Sequence, residues 1–203
     1  MNYEKNSHNK VRRLVSLALL TALVVILQML GSFITIGSTP ISLTLVPIVI
    51  GAIILGPGAG AFLGAVFGVV VLSAGFSGKD WFTSMLLNIS MFWTVMVCLV
   101  KGALCGAVAG WIAKALKEHE TVGCMLAAIS APIVNTGVFA LFMLTALRPG
   151  LEEFAVRVGS GGGNMVQVLF LVLIGINFVI EFAVNAALSA AIARITRAVL
   201  KPY

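Results

Sequence analysis

The chain has 203 residues, of which 60% are hydrophobic and only 10% are charged. A soluble domain carries about 25% charged residues, so this composition excludes an ordinary soluble protein and indicates a chain embedded in membrane lipid. The formal net charge of +6 would suggest a nucleic-acid partner in a soluble protein. Here the basic residues cluster at the ends of apolar segments, which is typical of membrane orientation, and we expect no nucleic-acid partner.

Six apolar segments organise the chain. The polar N-terminus MNYEKNSHNKVRR precedes an apolar run too long for the core of a signal peptide, so we expect a retained first span. The segments are Val11 to Leu30, Ile41 to Leu55, Ala59 to Leu72, Phe92 to Ala113, Val122 to Leu147 and Met165 to Arg194. The second and third are short of the roughly 20 residues that a span needs. We predict one all-α membrane domain, residues 1–203, with six transmembrane helices in one bundle.

Charge predicts the orientation of this bundle. Six spans place both termini on one side, and nine basic residues then share that side while three lie on the other. The nine are Lys5, Lys10, Arg12, Arg13, Lys114, Lys117, Arg194, Arg197 and Lys201, and the three are Lys79, Arg148 and Arg157. Because basic residues concentrate on the cytoplasmic side, we predict cytoplasmic termini. The links SAGFSGKDWFTS and RPGLEEFAVRVGSGGGN are then expected to be outward-facing loops.

Small residues recur every four positions on two of the segments. The third span has Gly60, Gly64 and Gly68, and the fourth has Gly102, Gly106 and Gly110. Such rows let helices approach closely, and packing within the chain is their expected role. The first span has one A-x-x-x-A pair, Ala18 and Ala22, which by itself is weak evidence because apolar helices contain many such pairs by chance.

The last segment carries Asn177, Glu181 and Asn185 in an otherwise apolar run. Steps of four residues drift by only about 40° around a helix, so these side chains form one stripe. Lys101 lies roughly 14 Å into the fourth span at 1.5 Å per residue, and Asn135 lies at similar depth after Pro132. A lone charge at the bilayer centre costs at least ~3 kcal/mol. Lys101 and Glu181 therefore either form a structural pair or face a polar cavity that meets a ligand.

Asn88 and Trp81 are further candidates for ligand contact near the outer mouth, although interfacial anchoring is the usual role of a single tryptophan. The sequence has no Walker A, H-E-x-x-H or G-x-S-x-G motif. Its three cysteines, Cys98, Cys105 and Cys124, lack metal-ligand spacing. We expect no enzyme activity, metal or cofactor in this chain, so transport would need an ion gradient or a partner.

Two parts of the sequence carry a resemblance to a known family. They are the first-span pair Ala18 and Ala22, and the block PISLTLVPIVIGAIILGPGAGAFLGAVFG from Pro40 to Gly68. A turn-rich loop, a short second span ending in L-G-P and a glycine-rich third span resemble the substrate-binding (S) component of energy-coupling factor (ECF) vitamin transporters. Six spans in about 200 residues also fit that family.

The resemblance implies a protein of the bacterial plasma membrane that binds a water-soluble vitamin from outside. It implies docking on a transmembrane coupling subunit and on two cytoplasmic ATPase subunits that use ATP, with Ala18 and Ala22 at the coupling subunit. PISLTLVP is similar to the pantothenate-type branch, where Lys101 or Arg148 would pair with a ligand carboxylate; other B vitamins stay possible. The candidate substrate-binding residues are Lys101, Asn135, Asn177, Glu181, Asn88 and Trp81.

Three other classes of protein stay open. A free-standing secondary transporter would use Glu181 as a proton site; such transporters often have repeated halves, and no repeat is visible. A membrane enzyme would need a second catalytic group facing Glu181, but the other acidic residues lie in tails or loops. An assembly subunit without a ligand would keep Lys101 and Glu181 only as a structural pair.

Overall fold

The computed structural model describes the backbone of residues 2–31, 35–36, 39–40 and 43–200, and the side chains of residues 10–31 and 43–194. The elements are α1 (Asn2–Gly31), β1 (Thr35–Ile36), β2 (Thr39–Pro40), α2 (Leu45–Leu55), α3 (Pro57–Phe76), α4 (Trp81–Ile89), α5 (Met91–Ala115), a 3-10 turn (Lys117–His119), α6 (Glu120–Leu144), α7 (Arg148–Arg157), α8 (Met165–Gln167), a π-helical segment (Val168–Ile174) and α9 (Gly175–Leu200). Strands β1 and β2 form a short antiparallel pair. The last three elements follow one another directly, and we call them together the last helix.

Five helical stretches in the described residues are long and apolar enough to cross a membrane. They are Lys10–Gly31, Pro57–Phe76, Met91–Ala115, Lys117–Leu144 and Met165–Arg194. The prediction of an all-α membrane protein is therefore confirmed. Helix α2 is apolar but has 11 residues, about half of the roughly 20 that a span needs. Six crossings and cytoplasmic termini therefore stay predictions.

Two stretches that were predicted to be loops contain helices, so that part of the prediction was wrong. Helix α4 begins after Asp80, whose carboxylate accepts hydrogen bonds from the backbone N–H groups of Phe82 and Thr83. Helix α7 has Pro149 in its first turn, where a missing N–H costs nothing. Both helices bury an apolar face with helical spacing, which is Phe82, Met85 and Leu86 in α4 and Leu151, Phe154 and Ala155 in α7.

The glycine rows of α3 and α5 pack against each other, as expected for packing within the chain. Gly60 meets Gly106 and Gly64 meets Gly102, so the two helices run antiparallel. A methyl group added to any of these four residues would meet the backbone of the facing glycine, and only a hydrogen atom fits. We call Gly60, Gly64, Gly102 and Gly106 the glycine seam.

Buried apolar residues form two clusters along the bundle. One joins α4 and α7 to α5, α6 and the last helix and includes Phe82, Phe154 and Leu169. The other includes Leu45 of α2 and Ala127 of α6. Because α4 links α3 to α5 and α7 links α6 to the last helix, the first cluster marks one end of the bundle. We call it the α4–α7 end.

Candidate functional site: a polar cavity at the α4–α7 end

A cavity of about 110 Å³ lies within the α4–α7 end. Its walls come from α3, α4, α5, α6 and the last helix, and Gln28 of α1 completes them. Its polar lining residues are Gln28, Asp80, Thr83, Lys101, Asn135, Thr136, Asn177 and Glu181. One water needs roughly 10–15 Å³ of such volume, so the cavity has space for several waters or for the polar part of a small organic solute.

Four of the predicted substrate-binding residues line this cavity together: Lys101, Asn135, Asn177 and Glu181. They come from three different helices, so only the fold brings them to one place. Of the other two, Asn88 is exposed on α4 and Trp81 is 45% exposed. Neither belongs to the cavity lining that the described residues form. A role in ligand binding stays a prediction for all six.

The ammonium group of Lys101 lies over two aromatic rings. Its Nζ atom is 5.6 Å from the centroid of the Phe67 ring and 5.3 Å from that of the Phe139 ring. A ring face attracts a cation by about 0.5–1 kcal/mol at exposed sites and by more where water is excluded. The Lys101 side chain is only partly buried. The rings therefore hold the charge at the cavity wall, within reach of a solute.

Asn135 lines the cavity and has a buried amide oxygen without a partner among the described residues. The residue is 6% exposed, and its Oδ1 atom accepts no hydrogen bond from the described residues. A buried polar atom without a partner costs about 1–3 kcal/mol. A solute or a water that donates to Oδ1 would remove this cost. Pro132 lies one turn earlier within α6, and a proline inside a helix also frees a backbone carbonyl.

The polar stripe of the last helix is buried and continues past the cavity. Asn177 and Glu181, each 7% exposed, line the cavity, whereas Asn185 and Ser189 lie further along α9 and are 1% and 2% exposed. Asn185 Nδ2 donates to the Glu181 carbonyl at 2.9 Å. The π-helical segment Val168–Ile174 precedes the stripe, and such segments occur often at functional sites. The predicted stripe therefore extends by one further turn, to Ser189.

Sequence reasoning missed four polar residues of the cavity, which are Gln28, Asp80, Thr83 and Thr136. Asp80 was assigned to a loop, but its Oδ2 accepts a hydrogen bond from Thr83 Oγ1 at 2.6 Å and its Oδ1 caps α4. An aspartate directly before the run WFTSMLL is an N-cap signal that could have revealed this helix. Gln28 Oε1 accepts from Thr44 Oγ1 at 2.8 Å. An amide within the apolar stretch LVVILQML was the corresponding signal for Gln28.

Aromatic rings from α4, α6 and α7 pack beside the cavity. Phe82 makes edge contacts with Phe154 at 5.7 Å and with Phe139 at 6.2 Å between ring centroids. Trp81 stacks on Phe154 at 6.2 Å with an interplanar angle of 18°. Phe82 and Phe139 also line the cavity. The rings join the two short helices to the cavity wall, so a movement of α4 or α7 would change the shape of the cavity.

Outside the cavity, the structure places the remaining predicted residues at the surface. Ala18 and Ala22 are exposed on α1, beside large exposed side chains such as Leu14 and Leu19. Arg148 Nε lies 3.1 Å from Glu152 Oε1 on α7, and Arg148 is absent from the lining that the described residues give the cavity. Of the two cations predicted for a ligand carboxylate, Lys101 alone therefore lines the cavity described here.

A membrane bundle with a small polar cavity at one end is the architecture expected of a membrane protein that binds a small solute. The sequence matches the family model for the ECF transporter, substrate-specific component, over residues 12–194. The chain belongs to this family, which consists of transporter components and not of enzymes. It is therefore a substrate-binding membrane component of a vitamin-type transporter. A search of curated proteins finds no match.

Proposed function

We propose that this protein captures a small water-soluble vitamin from outside the cell and delivers it inward with an ATP-driven coupling module. The observation that carries the proposal is the single cavity on which Lys101, Asn135, Asn177 and Glu181 converge. Polar side chains inside a membrane bundle are costly, so a cavity lined by them favours a solute over a purely structural role. Membership of the substrate-specific family supports the same function.

Charge supports an outward orientation of the cavity. The cavity lies at the α4–α7 end, whereas Lys10, Arg13, Lys114 and Lys117 lie near the opposite ends of their helices. Basic residues concentrate on the cytoplasmic side of membrane proteins. With the α4–α7 end outward, a solute enters from outside and is covered by the two short helices and their aromatic rings.

ATP-driven delivery requires a partner, because no nucleotide-binding motif occurs in the sequence. We propose a transmembrane coupling subunit and two cytoplasmic ATPase subunits as partners, with Ala18 and Ala22 of α1 at the coupling subunit. Only 17% of the most apolar window of α1 is buried, against 50% for α3. Small side chains in so exposed a helix would let a second helix approach closely.

Pantothenate is our first candidate for the substrate, and other B vitamins are the alternatives. The test is isothermal titration calorimetry of the purified protein with a panel of B vitamins. We expect one vitamin to bind at a ratio of 1:1 with a Kd of about 1 μM or less, that is about −8 kcal/mol or better. If no vitamin of the panel binds, the proposed function is wrong.

A second candidate function is proton-coupled transport without partners. The observation that favours it is Glu181, a carboxyl group that lines the cavity and is 7% exposed. Purified protein in liposomes would then concentrate the vitamin under a proton gradient alone. A protein that needs the coupling module would show no accumulation until the three partner subunits and ATP are added.

A further inference from the structure

We propose that the cavity selects solutes that carry a carboxylate group, and that it recognises them at two points. The Lys101 ammonium takes the carboxylate, and Asn135 Oδ1 accepts a hydrogen bond from a hydroxyl or N–H group of the same solute. This inference rests on the proposed function, because it names the substrate class of the same cavity.

The first point follows from the environment of Lys101. The faces of Phe67 and Phe139, at 5.6 and 5.3 Å from Nζ, attract a charged ammonium and not a neutral amine. An ammonium has three N–H donors, and two ring faces engage at most two of them. At least one donor is therefore left for a solute, and a carboxylate is the acceptor that gains most from a cation.

The two carboxylates of the cavity, Asp80 and Glu181, already interact with other groups of the protein. They therefore compete poorly with a solute carboxylate for the Lys101 ammonium. Asp80 is engaged by the N-terminus of α4, where its oxygens accept from Phe82 N, Thr83 N and Thr83 Oγ1. Negative charge is also stabilised at a helix N-terminus. Glu181 already has an interaction within the protein. Lys101 is the one cationic residue in the lining that the described residues give the cavity, so it is the group that can pair with an anionic solute.

The second point follows from Asn135. Asn135 lines the cavity, and its Oδ1 atom is buried and accepts no hydrogen bond from the described residues. Oδ1 can only accept, so the group that meets it must be a donor. A solute that pairs with both points carries an anion and, close to it, a hydroxyl or N–H group. A cationic solute would be repelled by the Lys101 ammonium. The ring faces of Phe67 and Phe139 that could attract such a solute already face that ammonium.

The test compares acids with neutral partners of the same shape on the purified full-length protein. The pairs are pantothenate and pantothenol, biotin and its amide, and nicotinate and nicotinamide, and thiamine and riboflavin complete the panel. We expect one acid to bind about 10- to 100-fold tighter than its neutral partner, since a charge-assisted hydrogen bond is lost in the latter. This arm needs no variant, so it does not depend on a mutant that folds.

Variants then assign the preference to its residue. Lys101→Gln should remove most of the preference for the acid, and an unchanged thermal melt would show that it is folded. Lys101→Arg keeps the charge and should keep a preference for the acid. Arg148→Gln removes a cation outside the cavity and is the matched control, which should leave the preference unchanged. Asn135→Ala should weaken acid and neutral partner alike, by about 10-fold.

The outcomes separate this inference from the proposed function. Tight binding of thiamine, riboflavin or a neutral partner in place of an acid would overturn the inference and leave the proposed function standing. A preference for the acid that survives in Lys101→Gln would also overturn the inference. If no member of the panel binds, the proposed function fails, and the inference fails with it.

Discussion

The glycine seam and the polar stripe of the last helix have the same spacing in the sequence but opposite surroundings in the fold. Gly60 and Gly64 meet facing glycines on α5, and the interface has no space for a methyl group. Asn177 and Glu181, also four residues apart, line a cavity of about 110 Å³. A period of four thus identifies one face of a helix, and only the rest of the chain decides whether that face is filled or left open.

The difference has a physical origin in the residues that carry each pattern. Glycines bring backbones together, where close packing replaces the hydrophobic drive that lipid cannot supply. Amide and carboxyl side chains need hydrogen-bond partners when buried, and Asn135 Oδ1 and Asn185 Oδ1 find none among the described residues. The seam is therefore expected to determine stability, and the stripe to determine binding. The predictions below test this division.

The largest expected effect is on the seam. Gly64→Leu would drive a side chain into the backbone of Gly102, and overpacking of this kind costs 1–3 kcal/mol, here about 3 kcal/mol or more because backbone must move. We expect loss of most of the folded protein, measured by size-exclusion chromatography in detergent.

Gly137→Leu is the matched control for this substitution. Gly137 lies on α6, is exposed, and has nothing within 4 Å of an added Cβ atom. It should yield folded protein at the level of the wild type. Equal yields of Gly64→Leu and Gly137→Leu would show that the seam is not a tight interface.

Ala18 and Ala22 are a further pair of small residues four positions apart. They are exposed on α1, whereas each glycine of the seam faces a glycine of another helix. Ala18→Trp should leave vitamin affinity within about twofold, since α1 contributes Gln28 alone to the described cavity lining. Uptake in cells with the coupling module should fall below about one-tenth, because a bulky side chain prevents close helix approach. Leu171→Trp, at a residue 75% exposed on the last helix, is the control. Normal uptake in Ala18→Trp would show that the coupling subunit docks on a different surface of the protein.

Within the stripe, Glu181 and Asn185 should behave differently. Glu181→Gln should weaken vitamin binding by about 10-fold, because the Glu181 carboxylate lines the cavity and would accept a hydrogen bond from a hydroxyl or N–H group of the vitamin. Asn185 lies outside the cavity lining that the described residues form and keeps its Oδ1 without a partner among them. Asn185→Leu should therefore leave affinity within about twofold and should not lower stability. Calorimetry measures the vitamin affinity of each variant, and thermal melts measure its stability. A large loss of affinity in Asn185→Leu would extend the binding site along α9.

The sequence predicted the long helices and four of the cavity residues because both signals are local. Apolar length identifies a span, and a polar residue in such a span must face protein or water. Helices α4 and α7 were missed because each is short and borders glycine-containing sequence, which lies before α4 (SAGFSGKD) and after α7 (GSGGGN). The apolar face of each becomes evident only against the bundle. Trp81 and Asn88 were predicted to contact the ligand because the sequence puts them near the outer mouth. Their side chains point elsewhere because rotation around α4 is fixed by Phe82 and Met85, which are buried.

The smallest expected effect lies at the contact that joins the cavity to α1. Thr44, which is fully buried, donates to Gln28 Oε1 at 2.8 Å, and Gln28 lines the cavity. Thr44→Val removes this donor at nearly constant volume, so stability should fall by about 1 kcal/mol, the net value of one neutral hydrogen bond. Affinity should fall only two- to threefold, because Gln28 remains in place on a rigid helix. Thr44→Ser keeps the hydroxyl group and should restore affinity. If Thr44→Val instead abolished binding while the seam stayed intact, Gln28 would be a principal ligand contact, and α1 would belong to the binding region as much as to the docking surface.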